Sequence, residues 1–207
     1  MKKSPFSIKG AILEGWELTK LNIGFLVTYQ ILLFFFIWLF SDLPSFSLIN
    51  IIGILIISLG KMGFINSILL LTKGLKPTFH QFYSNWRHLL TWIISFLIFG
   101  LIISFGLILL IIPGLYLWAV FGLFPFFILD KHVGPIEALK RSANATVGIR
   151  WYVFLLLLAT SGIMLLGLLF FGIGILIAAP VATIALATVY RKLTGQSQTS
   201  IQPSDIF

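Results

Sequence analysis

The chain is poor in charged residues and contains no cysteine. Only 10% of its 207 residues are Asp, Glu, Lys or Arg, whereas hydrophobic residues make up 59%. A soluble domain carries about 25% charged residues, because it must present a surface to water. The composition therefore predicts that the surroundings of this protein are largely lipid. The absence of cysteine excludes disulfides, thiolate catalysis and cysteine-ligated metals.

Acidic residues are scarcer than basic ones, and no Asp or Glu lies well inside an apolar run. The chain has 6 acidic and 14 basic residues. Asp42 and Asp130 fall at the ends of apolar runs, and Glu14, Glu17 and Glu137 fall in the polar stretches between them. Carriers coupled to protons or sodium generally place carboxylates in mid-membrane. A coupled transporter is therefore disfavoured.

Six apolar runs have lengths suited to crossing a hydrocarbon core of about 30 Å. Pro113 and Gly114 predict a turn between the third and fourth runs. The last apolar stretch, about 40 residues, is too long for one helix, so we divide it near Gly172. We predict one integral membrane domain over 1–207, an all-α polytopic bundle. Its predicted spans are 21–40, 46–72, 89–112, 114–129, 151–171 and 173–190.

The basic residues lie beside alternate pairs of spans. In a six-span arrangement, 13 of the 14 Lys and Arg residues fall on one side of the membrane. The positive-inside rule then places both termini in the cytoplasm. A net charge of +8 in a soluble protein would raise nucleic acid as a partner, but here the placement favours anionic headgroups and no nucleic acid. The candidate headgroup contacts are Lys9, Lys20, Lys76, Arg87, Lys140, Arg141 and Arg150.

A proline and a short amphipathic stretch precede each pair of spans, at 5–20, 77–87 and 135–147. Proline suits the first turn of a helix, and Thr78 and Gln81 have the spacing of a capping box. We predict three cytoplasmic helices lying in the interface, with their apolar sides toward the acyl chains. The three stretches are either copies of one repeated unit or independent polar connectors that are exposed to water. The predicted apolar faces are Ile8, Ala11, Ile12, Gly15 and Trp16 in the first stretch, and Ile136, Leu139 and Ala143 in the third.

Lys61 lies in the middle of the second predicted span. A lysine at that depth costs about 2.5–3.5 kcal/mol, so it normally faces a cavity or a partner. One interpretation is a contact for an anion or lipid headgroup inside the bundle, with Asn66 as a second polar group. The other is that Lys61 snorkels, or hydrogen-bonds to Asn66, Asn50 or helix carbonyls. The sequence leaves both open.

The sequence contains no constellation that indicates catalysis or a metal. His80 and His88 are the closest pair of histidines in the sequence, eight residues apart, and His132 is far from both. Because a zinc site needs three or four converging ligands, we interpret the three histidines as residues of the membrane interface. There is no nucleophile motif and no phosphate loop. We therefore expect a non-catalytic protein without metal or cofactor. Small residues predict close helix packing, within or between chains: Gly60, Gly63, Ala179, Thr183 and Ala187.

Three motifs carry a resemblance to a known group: Ile112-Pro113-Gly114, Leu129-Asp130, and Gly134-Pro135-Ile136-Glu137-Ala138-Leu139-Lys140-Arg141-Ser142. The chain resembles the YciC-like bacterial membrane proteins and the membrane domain found beside some glycerophosphodiester phosphodiesterases. Gly15-Trp16-Glu17-Leu18, Gly60, Lys73-Gly74 and Phe82 extend the resemblance over nearly the whole chain. It implies a six-helix fold and a poorly defined molecular role. The catalytic barrel of the phosphodiesterase is not in this sequence, so its activity is not transferred.

The combined expectation is a bacterial inner-membrane protein that organises or contacts membrane lipids or other membrane proteins. Its working face would be the basic surface helices. The alternative is a passive conduit or binder for a small anionic solute or lipid, with Lys61 as the anion contact. Replacing Lys61 by leucine separates the two, because only the alternative requires its charge.

Overall fold

The computed structural model describes residues 6–41, 47–169 and 172–195, with Ile111 described by its backbone alone. The predictions that concern Lys2, Lys3, Pro5, Asp42 and Phe171 lie outside these ranges. The described residues form helices and turns and contain no strand, which confirms the all-α fold. The helices are α1 (Ile8–Leu21), α2 (Ile23–Ser41), α3 (Leu48–Thr72), α4 (Gln81–Ser84), α5 (Leu89–Leu109), α6 (Ile111–Phe121), α7 (Phe124–Lys131), α8 (Pro135–Ala145), α9 (Arg150–Leu169) and α10 (Ile175–Leu193).

In the described part of the chain, six helical segments are long and apolar enough to cross a membrane, in the six places where the sequence predicts spans. They are Ile23–Ser41, Leu48–Thr72, Trp86–Leu109, Ile112–Lys131, Arg150–Leu169 and Ile175–Leu193. The multi-pass prediction is thereby confirmed. The last segment is 61% buried inside the protein and the third only 17%. Helix α10 is therefore the central helix of the bundle, and α5 lies at its edge.

The fourth span lies near its predicted place, 114–129, but it is not one continuous helix. It is broken between α6 and α7 at Gly122 and Leu123. Pro125 stands in the first turn of α7, where it has no N–H to donate to Phe121 of the preceding turn. The predicted Pro113–Gly114 turn is also wrong. The chain reverses at the extended residue Leu110, and Pro113 occupies the first turn of α6, a position that proline favours.

Helix α8 supplies hydrogen-bond partners for the backbone groups at the break in the fourth span. The Leu123 N–H donates to Ser142 Oγ at 3.2 Å, and that hydroxyl donates to the Val120 carbonyl at 3.0 Å. The Thr146 hydroxyl also lies within 3.4 Å of the Val120 carbonyl. The buried face of α8 is consequently Ala138, Leu139 and Ser142. The predicted face of Ile136, Leu139 and Ala143, expected to meet acyl chains, is corrected at Leu139, which is buried inside the protein, while Ile136 remains 60% exposed. The pattern of apolar residues cannot show that a serine must be buried to bond with backbone groups of another segment.

Replacing Ser142 by alanine should lower the free energy of unfolding by about 1–3 kcal/mol, because the buried Leu123 N–H loses its acceptor and the Val120 carbonyl keeps only the longer contact with Thr146. Unfolding by SDS titration in mixed micelles measures the change. Asn144→Ala on the exposed side of the same helix is the matched control. Equal stabilities of the two variants would show that Ser142 does not support the break.

The connector after α3 turns back along that helix instead of forming the amphipathic helix predicted over 77–87. Gly74, at φ 75°, allows the reversal, and its N–H donates to the Leu71 carbonyl at 3.0 Å. Only α4 and a 3₁₀ turn over Trp86–His88 are helical. The predicted Thr78–Gln81 capping contact is formed in part, since Gln81 Oε1 accepts from the Thr78 backbone N–H at 2.7 Å.

Helix α1 packs on the bundle along a face of small residues. Its buried positions are Ala11, Gly15 and Thr19. A Cβ atom at Gly15 would lie 2.6 Å from the Val181 carbonyl oxygen and 3.3 Å from the Ala185 nitrogen of α10. The two helix backbones therefore touch at Gly15. The predicted apolar face is divided, because α10 covers its small residues while Trp16 on the flank stays 43% exposed.

Candidate functional site

The ends of α3, α7 and α10 meet at one buried carboxylate. Asp130 Oδ1 lies 2.8 Å from Lys73 Nζ, and its Oδ2 lies 3.2 Å from Lys131 Nζ. The Tyr190 hydroxyl donates to Oδ2 at 2.8 Å. The Asp130 side chain is only 3% exposed, so these contacts hold it away from water. Residues 57 and 60 positions apart converge here, and no pattern in the sequence indicated that they would.

Further charged and polar residues lie at the same end of the bundle. The rings of His88 and His132 stack with their centroids 4.8 Å apart, which brings the start of α5 beside the end of α7. Glu14 of α1 pairs with Lys192 of α10 at 3.6 Å. Within the described ranges, no three His, Cys, Asp or Glu side chains converge in a way that could hold a metal ion.

The seven predicted headgroup residues all stand on helices or connectors that meet at this end, which we call the basic end. Six of them are exposed: Lys9, Lys20, Lys76, Arg87, Lys140 and Arg141. Arg150 differs, because it is half-buried and donates to the Tyr116 hydroxyl at 2.7 Å, with its guanidinium over the ring of that tyrosine. The structure therefore leaves six of the seven facing outward.

The six exposed cations divide into two classes. Lys20 pairs with Glu17 at 2.8 Å, and Arg141 pairs with Glu137 at 2.7 Å. The other four form no ion pair with any residue in the described part of the chain: Lys9, Lys76, Arg87 and Lys140. A neighbouring carboxylate partly cancels the field of a cation, so the unpaired four have the stronger attraction for an external anion.

Lys61 and Asn66 do not form one site. Lys61 is exposed and has no hydrogen bond within the described residues, whereas Asn66 is half-buried and its Nδ2 donates to Ser84 Oγ at 3.4 Å. Five positions on a helix correspond to a turn of roughly 140°, so the two side chains point to different sides of α3. Phe64 and Ile68 lie on the same face of α3 as Lys61 but nearer the basic end, and both are buried. The hydrogen bond between Lys61 and Asn66 that the sequence allowed is therefore not formed, and Asn66 does not join Lys61 in a single site.

Two residues of this region were misjudged or missed from the sequence. Tyr190 looks like an interface anchor by its place at the end of a span, but it is fully buried and bonds to Asp130. Ser142 appeared only as the last residue of a resemblance motif, and its role was missed because it depends on a helix break that lies 19 residues earlier.

Comparison with known proteins yields no relative for this geometry. No protein-family model, curated protein or solved structure matches the chain. What the protein does must therefore be inferred from its own residues, chiefly the exposed cations at the basic end.

Proposed function

We propose that this is a non-catalytic bacterial inner-membrane protein whose basic end, on the cytoplasmic side, holds anionic lipid headgroups. By gathering those lipids it organises the membrane around it, including membrane proteins that share them. The observation that carries the proposal is the group of four exposed cations without an ion-pair partner at that end. Each cation near an anionic surface contributes about 1 kcal/mol of attraction.

Two of these cations stand on helices that are held by the bundle. Lys9 belongs to α1, which is fixed by the contact of Gly15 with α10. Lys140 belongs to α8, which is fixed by the hydrogen bonds of Ser142. Fixed positions reduce the entropy that is lost when a headgroup binds. A steady set of headgroup contacts follows from this arrangement.

The carboxylates at the basic end support a non-catalytic role. Asp130 accepts from three partners, and Glu14 and Glu137 are engaged in ion pairs. A general acid or base needs a carboxyl group that can reach a substrate proton. Each of these groups is instead bound to cationic or hydroxyl partners of the same chain.

Lipid retention tests the proposal. The quadruple variant Lys9→Gln, Lys76→Gln, Arg87→Gln and Lys140→Gln should retain at least about tenfold less phosphatidylglycerol relative to phosphatidylethanolamine, since a loss of only about 1.4 kcal/mol in total gives that factor. Native mass spectrometry of the gently solubilised protein counts the retained lipids. The double variant Lys20→Gln and Arg141→Gln is the matched control and should keep most of the preference, because carboxylates already neutralise those cations. An unchanged preference in the folded quadruple variant would refute the proposal.

The same preparation tests the second candidate function, a passive path for small anions through Lys61. The buried side chains of Phe64 and Ile68 lie on the same face of α3, between Lys61 and the basic end. Because both side chains are buried in protein contacts, they obstruct a path through the interior of the bundle, but not access to Lys61 from the outside of α3. A conduit would be supported if reconstituted vesicles leaked a small anion and Lys61→Leu abolished the leak.

A further inference from the structure

The connector between α3 and α5 reaches far down the side of the bundle. A Cβ atom at Gly63 would lie 2.6 Å from the Gln81 carbonyl oxygen and from Phe82 Cα, and one at Gly60 would lie 3.0 Å from the Phe82 ring. These glycines precede Thr72, the last residue of α3, by nine and twelve positions. At 1.5 Å per residue, the connector descends about 14–18 Å from the end of α3.

Helix α2 gives the same depth independently. The Phe79 ring lies 4.9 Å from the ring of Phe25 and stacks on Tyr29 at 6.0 Å. The Phe82 ring lies 6.2 Å from Phe36, which is thirteen positions past the start of α2 at Ile23. This corresponds to about 20 Å along the helix. The connector therefore fills the gap between α2 and α3 with its aromatic side chains.

Polar groups descend with the connector. Ser84 is exposed and bonds to Asn66, His80 is exposed, and Asn85 Nδ2 is buried without a hydrogen-bond partner among the described residues. Irregular backbone and polar side chains are not tolerated in contact with lipid chains, where their hydrogen bonds would be unsatisfied. Water or headgroups must therefore reach this level on the outside of α3.

The exposed apolar surface of α3 ends before Lys61 is reached. Its exposed large apolar side chains all lie between Leu48 and Ile54, before Lys61. Beyond Lys61 the large apolar side chains as far as Leu71 are buried or half-buried in protein contacts. The helix has 25 residues, about 38 Å, which exceeds a hydrocarbon core of about 30 Å. The part of α3 after Lys61 is thus covered by protein and presents no large apolar side chain to lipid.

From these observations we infer that Lys61 binds the phosphate of a membrane phospholipid, drawn below the usual headgroup level beside α3. Lys61 stands next to Gly60, at the depth of Phe82, with its ammonium exposed. A lipid supplies both parts that the surface requires, an anion for Lys61 and acyl chains for the apolar residues before it. This site is distinct from the headgroup contacts at the basic end and does not depend on them.

The depth of Lys61 can be measured with single cysteines, because the chain contains none of its own. Lys61→Cys and Ser84→Cys in reconstituted vesicles, with reagent on both faces, should react with a charged, membrane-impermeant maleimide. They should react at least about tenfold faster than Leu101→Cys on the exposed face of α5, because a charged reagent is excluded from hydrocarbon by several kcal/mol. Lys140→Cys serves as the fully wetted reference. If the thiols at 61 and 84 are as protected as the one at 101, the inferred depth is wrong.

The ligand is identified by lipid counting on Lys61→Leu and Lys61→Arg. Native mass spectrometry should find one fewer retained phospholipid on Lys61→Leu, while Lys61→Arg should keep it, with equal thermal stability of the two variants as the folding control. An equal lipid count on both would overturn the assignment. Displacement of the bound anion by inorganic phosphate, with no change in lipid count, would identify a free anion and also overturn it. The four cations of the basic end are intact in both variants, so this result is separate from that of the quadruple variant.

Discussion

Replacing Asp130 by asparagine is expected to lower the free energy of unfolding by about 2–5 kcal/mol, because the hydrogen bond from buried Tyr190 (about 1.5–3 kcal/mol) and two ion pairs with half-exposed lysines (up to about 1 kcal/mol each) are lost together. The carboxylate is 3% exposed and holds Lys73, Lys131 and Tyr190 at 2.8–3.2 Å. An asparagine amide carries no charge to offset these cations. Only its oxygen can accept hydrogen bonds, so it cannot replace both oxygens of the carboxylate. SDS titration in mixed micelles measures the loss.

Two companion variants separate the effect of burial from that of charge. Glu137→Gln removes an exposed carboxylate that pairs with Arg141 on the surface of α8, and should change stability by less than about 1 kcal/mol. Tyr190→Phe removes only the hydroxyl donor. Its loss in free energy of unfolding should lie between those of the other two variants, at about 1.5–3 kcal/mol for a hydrogen bond to a charged group. If Asp130→Asn were no worse than Glu137→Gln, the three helix ends would not depend on this carboxylate.

Replacing Gly15 by alanine should separate α1 from α10 and destabilise the protein by about 1–3 kcal/mol, as overpacking does in a filled core. The added Cβ would stand 2.6 Å from the Val181 carbonyl oxygen. Both neighbours are backbone atoms of a central helix, so neither can move aside as a flexible side chain would. The thermal midpoint in detergent and the free energy of unfolding should both fall.

Gly10→Ala is the matched control for Gly15, since it lies in the same helix and adds the same methyl group. Its Cβ would approach only Ser7, at 3.4 Å, and alanine favours the helix over glycine by up to about 1 kcal/mol. We expect the control to be neutral or slightly stabilising. A Gly15→Ala variant as stable as Gly10→Ala would show that the helices do not touch at this position.

The two structural predictions bear on the proposed function through the positions of the cations. Lys9 is presented by α1, and Lys76 follows the end of α3 that Asp130 holds. Variants that loosen these elements should also weaken the preference for phosphatidylglycerol, even though every cation is still present. Lipid retention by Gly15→Ala and Gly10→Ala, compared at a temperature where both are folded, measures that dependence.

The number of spans and their order followed from the sequence alone. Hydrophobic runs of about 20 residues reflect the free energy of moving a whole segment into lipid, which depends on composition and length and hardly on neighbours. The small residues Gly60 and Gly63 also predicted a close approach, and the structure places it within the chain, against Phe82.

Side chains that depend on distant partners were decided by the tertiary structure. The sequence treated Tyr190 as an interface anchor and Lys61 as a mid-membrane charge. The fold instead buries Tyr190 against Asp130, and brings the polar connector down to the level of Lys61. A hydropathy profile assigns depth by counting along one helix, and cannot show that another segment descends beside it.

The face of α8 and the break in the fourth span show the same division. Periodicity predicted that an amphipathic helix follows Pro135, and α8 is there. Periodicity could not show which face is buried, because unpaired backbone groups at Val120 and Leu123 require a hydroxyl, and that need arises only when α8 packs on the break. The sequence by itself determined which segments enter the membrane, because that is a property of each segment. The tertiary structure decided which polar groups meet, because a buried polar group is stable only where another chain segment supplies its partner.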